Sequence, residues 1–214
     1  MTRSIPRLIS LSLPLTPQQY IAPLCILLGS LIAFTFEQQL GDTLIYKRLP
    51  VSHGEWWRFI STHFFHTNLH HFLLNITTLT MLWALQGNLY TAKSYLFAFF
   101  FSATFSCLGV HFFSPDLSQY VGLSGALHGI FIWSALQEIK HKEKIGYLLL
   151  LGMLLKISFE QFYGASNDLS VMIDAKVAIN AHLWGVLGGA LTFLIIWGVN
   201  RSLKRTRTQL DKQV

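Results

Sequence analysis

Long apolar segments alternate with short polar connections along the chain of 214 residues. The clearest of these segments approach the roughly 20 residues that an α-helix needs to cross the hydrocarbon core of a bilayer. The pattern predicts an all-α membrane protein with one domain, residues 1–214, and no internal repeat. Its six predicted spans are residues 20–36, 59–85, 94–113, 122–139, 145–159 and 177–199.

Composition supports a membrane protein. Hydrophobic residues make up 52% of the chain and charged residues 12%, whereas a soluble domain carries about 25% charged residues. Cys25 and Cys107 both lie in apolar segments, which excludes a disulfide framework and a cysteine-based metal site. Residues 1–7 show no small-residue cleavage site after the first apolar run, so we expect them to be retained.

The placement of Lys and Arg predicts the topology. The N-terminus (Arg3 and Arg7), Lys93, the cluster at 140–144 and the C-terminal tail with Lys212 fall on one side of the predicted spans. Basic residues on the other side are interspersed with acidic ones. The positive-inside rule then predicts that both termini are cytoplasmic. This distribution explains the net charge of +6 without a nucleic-acid partner.

Polar residues in the second, fourth and sixth spans share one depth, in the outer half of the predicted bundle. They are His66, His70, His71, Asn75, Ser124, His128 and His182. Each such group costs several kcal/mol if it is buried in lipid without a partner. We therefore expect these side chains to face one another around a polar cavity.

Small residues flank the serine and the sixth-span histidine. Gly125 and Gly129 follow Ser124, and the motif that contains His182 repeats the pattern with Ala181, Gly185 and Gly189. Such stripes allow two membrane helices to approach closely. The pattern predicts that Ser124 and His182 come within hydrogen-bond reach, as nucleophile and base. The sequence shows no acidic residue near His182 in a span, so we expect a dyad.

A serine nucleophile also needs donors for the oxyanion of its tetrahedral intermediate. His71 and Asn75 are spaced i, i+4 and share one helix face. Gly122 and Gly125 give the backbone around Ser124 the freedom to turn tightly. We therefore expect His71, Asn75 and the Ser124 backbone N–H to be the oxyanion donors.

Two other groups of polar residues give weaker evidence of a function. The histidines at 63, 66, 70 and 71 raise the question of metal binding, but no His-Glu-x-x-His motif is present, so we predict no metal and no cofactor. Lys156 lies four residues before Glu160, near the outer end of the fifth span. This pair fits either a snorkelling ion pair or a contact with a substrate headgroup.

These residues resemble the rhomboid intramembrane proteases. Gly122-Leu-Ser124-Gly125 is similar to the family's Gly-x-Ser-Gly motif, and His71-Phe-Leu-Leu-Asn75 to its His-x-x-x-Asn motif. The segment from Ala181 to Gly189 resembles Ala-His-x-x-Gly-x-x-x-Gly. Trp57-Arg58 resembles a pair at the end of the family's long first loop, and His66 stands where the family carries a further histidine.

The resemblance implies an integral membrane serine protease, with Ser124 attacking a carbonyl and His182 taking its proton. His71, Asn75 and the Ser124 N–H would stabilise the oxyanion. The implied substrate is a single-pass membrane protein that enters sideways near the fifth span and is cut in or near its membrane segment. The implied location is the bacterial inner membrane, with the active site open towards the periplasm.

His128 departs from the common family pattern, which places a tyrosine one helical turn after the serine. The Ser124-Gly-Ala-Leu-His128-Gly129 string and the short chain are similar to the rhombosortase branch. That branch is associated with bacterial surface-destined proteins that carry C-terminal Gly-Gly anchors (GlyGly-CTERM). It cleaves these proteins and can pass them to an amine-bearing lipid headgroup. The predicted role of His128 stays open between orienting His182, holding a water, binding substrate and simple burial.

Two other functions remain as alternatives. One is a catalytically inactive rhomboid-like protein that binds client helices. The other is a membrane protein that binds metal through its histidines. Ser124, His182, His71 and Asn75 occurring together favour the protease.

Overall fold

The computed structural model describes residues 13–210. Within that range the fold is a helical bundle with one small antiparallel β-ribbon, β1 (Tyr46–Lys47) paired with β2 (Gln119–Tyr120). The α-helices are α1 (Pro17–Thr35), α2 (Glu37–Leu44), α3 (Arg48–Ser52), α4 (Arg58–Ser61), α5 (Leu69–Gln86), α6 (Ala92–Phe113), α7 (Ser124–Lys140), α8 (Lys144–Tyr163), α9 (Asn167–Met172) and α10 (Ile179–Leu210). Arg3, Arg7 and Lys212, used in the charge count, lie outside the described residues.

Four of the described helices are long and apolar enough to cross a membrane. They are α1, α6, α8 and residues Ile179–Leu203 of α10. The two central helices α5 and α7 are 18 and 17 residues long and contain all the polar residues that the sequence singles out except His66 and His182. The largest buried cluster joins residues of α1, α5, α6 and α7, so the bundle packs around those helices.

The second predicted span begins ten residues too early. Residues 59–68 form most of α4, a 3-10 turn at Thr62–Phe64 and a loop, and α5 begins at Leu69. Asn68 sets this start because its side chain accepts a hydrogen bond from the backbone N–H of His71 at 2.9 Å. His66 therefore lies in the loop before α5 rather than in a span.

The fourth predicted span also begins later than expected, at Ser124. Gly122 has a φ of +118°, a conformation that a right-handed helix does not contain. Its N–H donates to the Thr62 carbonyl at 3.3 Å. The turn at Gly122 therefore ends the preceding loop and presents Ser124 at the first position of α7.

The helices of the fifth and sixth predicted spans, α8 and α10, are longer than the sequence indicates. α8 runs to Tyr163, four residues beyond the predicted end, and α10 runs from Ile179 to Leu210. Lys156 and Glu160 lower the apolar signal near the C-terminal end of α8, but the segment remains helical because the two residues pair with each other and Glu160 also contacts His182. The longer α8 therefore includes Glu160.

Helices α7 and α10 are in backbone contact through their glycines. A Cβ on Gly185 would lie 2.0 Å from the Gly125 carbonyl oxygen, and one on Gly189 would lie 2.0 Å from that of Gly129. No larger residue fits there without moving a backbone, because real Cβ atoms essentially never approach so closely. The small-residue stripes thus bring the start of α7 against the start of α10, as the sequence predicts.

Gly185→Ala should lower the free energy of unfolding by about 1–3 kcal/mol, the usual cost of overpacking a tight interface. Thermal unfolding in detergent would measure this loss. Gly198→Ala is the matched control, because it lies on the same helix with nothing within 4 Å of the new methyl group. Equal melting temperatures for the two variants would contradict the packing described here.

Candidate active site

Ser124 and His182 form the centre of the site. Ser124 is the first residue of α7, and His182 lies in the first turn of α10. The Nε2 atom of His182 is 3.0 Å from Ser124 Oγ. His182 is buried and Ser124 is partly exposed, so the imidazole is shielded while the hydroxyl can be reached. The structure brings together the two residues that the sequence predicts as base and nucleophile.

Glu160 occupies the other side of the imidazole, and the expectation that no acidic residue adjoins His182 is wrong. Glu160 Oε2 is 2.9 Å from His182 Nδ1. The carboxyl group is buried, with 7% of the residue exposed. It reaches the site because α8 continues past the predicted end of the fifth span. Ser124, His182 and Glu160 therefore form one hydrogen-bonded chain.

Lys156 holds the second oxygen of Glu160. Its Nζ atom is 2.7 Å from Glu160 Oε1, and the lysine side chain is 43% exposed. The predicted i, i+4 pair is therefore present. The lysine supplies a positive charge beside a buried carboxylate, which would be costly to bury unpaired.

His128 stacks on His182. The ring centroids are 4.1 Å apart and the planes differ by 15°. His128 Nδ1 is 2.6 Å from the Ser124 carbonyl oxygen, so this nitrogen donates to the backbone one turn earlier on α7. The ring is thus fixed by its own helix and forms a wall for the base. Of the roles left open by the sequence, orientation of His182 is the one that these contacts favour.

His71 and Asn75 both lie beside the Gly122 turn, two residues before Ser124. A Cβ on Gly122 would be 2.7 Å from His71 Nε2 and 3.8 Å from Asn75 Nδ2. The Asn75 amide donates one hydrogen bond to the His71 carbonyl at 3.0 Å. An amide nitrogen has two N–H groups, so a second donor remains. Gly122 is therefore needed both for its positive φ and for the space that His71 fills.

The remaining histidines have separate surroundings. His66 is buried and packs edge to face on His71, with ring centroids 5.0 Å apart. His63 is buried between the carbonyl oxygens of Gly122 and Ala103, at 2.9 and 3.0 Å. His70 is exposed. Of these histidines, His71 lines a cavity together with Ser124, so the predicted convergence holds for part of the cluster.

Gly125, the other predicted supporting residue, serves packing. A Cβ there would lie 2.0 Å from Ser106 Oγ and 3.0 Å from the Ala181 carbonyl oxygen. Its absence of a side chain lets α6 and α10 close on the first turn of α7. Ser124 is thereby held against His182.

Two cavities meet at Ser124. One of about 230 Å³ lies towards the α9 side and is lined by Thr67, His71, Tyr120, Ser124, Lys176 and Val177, among others. The second, of about 270 Å³, lies between α5, α7 and α8 and is lined by Asn75, Leu127, His128, Met153, Lys156 and Ser124, among others. The serine can thus be approached from two directions.

His128, Glu160 and His182 each offer a ligand atom, and these atoms lie within 4.8 Å of one another. A metal ion needs ligand lone pairs that converge on one point, and imidazole lone pairs lie in the ring plane. The near-parallel stack of the two rings directs those lone pairs along separate planes. The arrangement fits a hydrogen-bonded base better than a metal centre.

The comparisons with known proteins identify a family. The Rhomboid domain family matches residues 53–199, more than half of the chain. A protein of Bacillus subtilis (strain 168) named "Putative rhomboid protease YdcA" is 26% identical over 162 residues, which cover 72% of this chain and 75% of that protein. The chain therefore belongs to the rhomboid family.

Membership gives the class of protein. Rhomboid proteins are intramembrane serine proteases that act on membrane-protein substrates within the lipid bilayer. The apolar helices are those of an integral membrane protein. The rhomboid resemblance and the membrane class predicted from the sequence are thus confirmed at this level.

Proposed function

We propose that this protein is an intramembrane serine endopeptidase in which Ser124 is the nucleophile and His182 the general base. The distance of 3.0 Å between Ser124 Oγ and His182 Nε2, within a membrane helix bundle, carries the proposal. The Oγ atom attacks the substrate carbonyl carbon while His182 takes the hydroxyl proton. The C–N bond then breaks, and His182 returns the proton to the leaving amine.

The oxyanion of the tetrahedral intermediate would be bound from both cavities. His71 lines the α9-side cavity and Asn75 lines the cavity between α5 and α8, and Ser124 lines both. Ser124 is the first residue of α7, so its N–H has no acceptor within that helix. Three donors of this kind, aimed at one point, would stabilise the developing negative charge.

The substrates proposed are single-pass membrane proteins. The cavity between α5, α7 and α8 is bordered by apolar residues such as Leu82 and Phe131, which suits a membrane segment arriving from the lipid. The α9-side cavity offers a separate path for the molecule that attacks the acyl-enzyme. The proposed topology has six spans, cytoplasmic termini and a site open to the periplasm of a bacterial inner membrane. The distribution of Lys and Arg supports this orientation.

The rhombosortase branch is the proposed position within the family. His128 stands one turn after Ser124 and stacks on His182. The proposed client carries a C-terminal Gly-Gly anchor. Glycine has no Cβ atom, so the carbonyl group of a Gly-Gly sequence can approach a serine that lies between two small cavities. The acyl group would then pass to water or to an amine-bearing lipid headgroup. That amine would attack the ester carbonyl, and Ser124 would leave with a proton from His182.

Cleavage in proteoliposomes tests this function. We expect the wild-type protein to cut a single-pass client with a Gly-Gly anchor, and the released fragment should have the mass of the acyl portion up to the cut plus water or plus the amine. The control client has Val-Val in place of Gly-Gly, and Ser124→Ala is the control enzyme. Cleavage by Ser124→Ala would overturn the mechanism, and equal cleavage of both clients would overturn the anchor specificity.

A further inference from the structure

We propose that Glu160 is a positioning residue that holds His182 in the orientation and tautomer needed to accept the Ser124 proton. The inference rests on the proposed function, and it replaces a two-residue site by a chain of three. Glu160 does not touch Ser124, so it acts through the imidazole. Its role would be that of the acid in soluble serine proteases, reached here from a separate membrane helix.

The two nitrogens of His182 have different partners. Nδ1 faces the Glu160 carboxylate at 2.9 Å, and Nε2 faces the Ser124 hydroxyl at 3.0 Å. An ionised carboxylate only accepts hydrogen bonds, so Nδ1 must carry the proton. In a neutral imidazole the lone pair is then on Nε2, where Ser124 needs an acceptor. The carboxylate thus selects the tautomer that can act as a base.

No other described contact of His182 makes this selection. His128 restrains the plane of the ring by stacking at 4.1 Å, but its own Nδ1 is engaged with the Ser124 carbonyl. Stacking acts equally on both tautomers because it does not involve the in-plane nitrogens. The choice of tautomer therefore falls to Glu160.

The position of Glu160 is itself fixed. The residue is 7% exposed, and its two oxygens have separate partners, Lys156 at 2.7 Å and His182 at 2.9 Å. A carboxylate serving only as counterion to Lys156 would have no need to turn its other oxygen towards the buried imidazole. Lys156 is instead placed to keep the carboxylate charged and aimed.

Charge also favours this role during the reaction. When His182 takes the Ser124 proton, an imidazolium forms in a buried site, where an isolated charge is costly. The carboxylate already lies against Nδ1, so an ion pair forms without rearrangement. The acid stays ionised throughout, and no proton passes to it.

The test uses the rate at which a fluorophosphonate labels Ser124 in the full-length protein, which requires no knowledge of the client. We expect Glu160→Gln to lower the maximal labelling rate by up to about 10⁴-fold, the loss found when a triad acid becomes an amide. The concentration for half-maximal labelling should stay within about twofold. Glu160→Asp should restore part of the rate. Glu143→Gln, the same change at an exposed position, is the control.

A second readout reports the tautomer directly. Nitrogen-15 spectra of histidine-labelled protein distinguish Nδ1–H from Nε2–H, and the His182 signal is assigned by its loss in His182→Asn. We expect the Nδ1–H form in the wild type and an increase of the Nε2–H form in Glu160→Gln. A purely structural role for Glu160 would lower the melting temperature and leave the tautomer unchanged.

The outcomes separate this inference from the proposed function. Wild-type labelling with an unchanged rate and tautomer in Glu160→Gln would overturn the role of Glu160 alone. Absence of wild-type labelling would instead overturn the proposed function. The spectra would still decide whether Glu160 sets the tautomer in that case.

Discussion

His182→Ala should abolish turnover, with a loss of at least about 10⁴-fold, while the protein remains folded. Removing the base leaves the Ser124 hydroxyl protonated and weakly nucleophilic, and losses of this size follow deletion of a single residue from such a site. The buried imidazole is also a hydrogen-bond partner of Glu160, so the variant leaves that carboxylate without one partner. Client cleavage in proteoliposomes would measure the rate.

His70→Ala is the matched control for this variant. It removes an imidazole from the exposed face of α5, one residue before His71, and should retain wild-type turnover. Thermal unfolding of both variants separates a chemical loss from a loss of fold. Wild-type turnover by a folded His182→Ala protein would contradict the proposed mechanism.

Asn75→Ala should reduce turnover by about 10²–10³-fold, the usual effect of removing one oxyanion donor. The loss should appear in kcat more than in KM, because the donor acts on charge that develops only in the transition state. The remaining donors, His71 and the Ser124 N–H, explain why the effect is partial. Steady-state kinetics on one client would provide both constants.

Asn200→Ala, the same substitution on an exposed part of α10, is the control for Asn75→Ala. It should change neither constant. A loss confined to KM in Asn75→Ala would place the amide in ground-state binding and would contradict its assignment to the oxyanion.

The residues around Ser124 could be predicted because their patterns have direct physical consequences. Gly185 and Gly189 sit where α10 meets the backbone of α7, and only glycine fits at those contacts. Ser124 and His182 are adjacent to these contacts in sequence, so their proximity follows. His71 and Asn75 share a face through the helical repeat.

The sequence indicates the pair of Lys156 and Glu160 but not the contact of Glu160 with His182, because the predicted span ends at residue 159. The hydropathy signal falls where charged residues begin, although Lys156 and Glu160 satisfy each other and the helix continues to Tyr163. The contact forms because the C-terminal part of α8 lies beside the first turn of α10. Partners between distant helices, such as Glu160 and His182, are not visible in spacing along one helix.

The start of α5 and the place of His66 were also beyond the sequence pattern. Apolar residues at 59–65 resemble the start of a span. The helix nevertheless begins after Asn68, whose side chain caps it. The turn at Thr62–Phe64 instead accepts a hydrogen bond from the Gly122 loop. The contacts of His128 depend on how closely α7 and α10 cross. A sequence can show which residue stands there but not which ring it stacks on.

Peptide mapping after fluorophosphonate labelling tests the central claim most directly. The account predicts one adduct on the wild-type protein, located on Ser124, and no adduct on Ser124→Ala under the same conditions. Labelling that persists in Ser124→Ala, or an adduct mapped to another residue of the wild type, would contradict it.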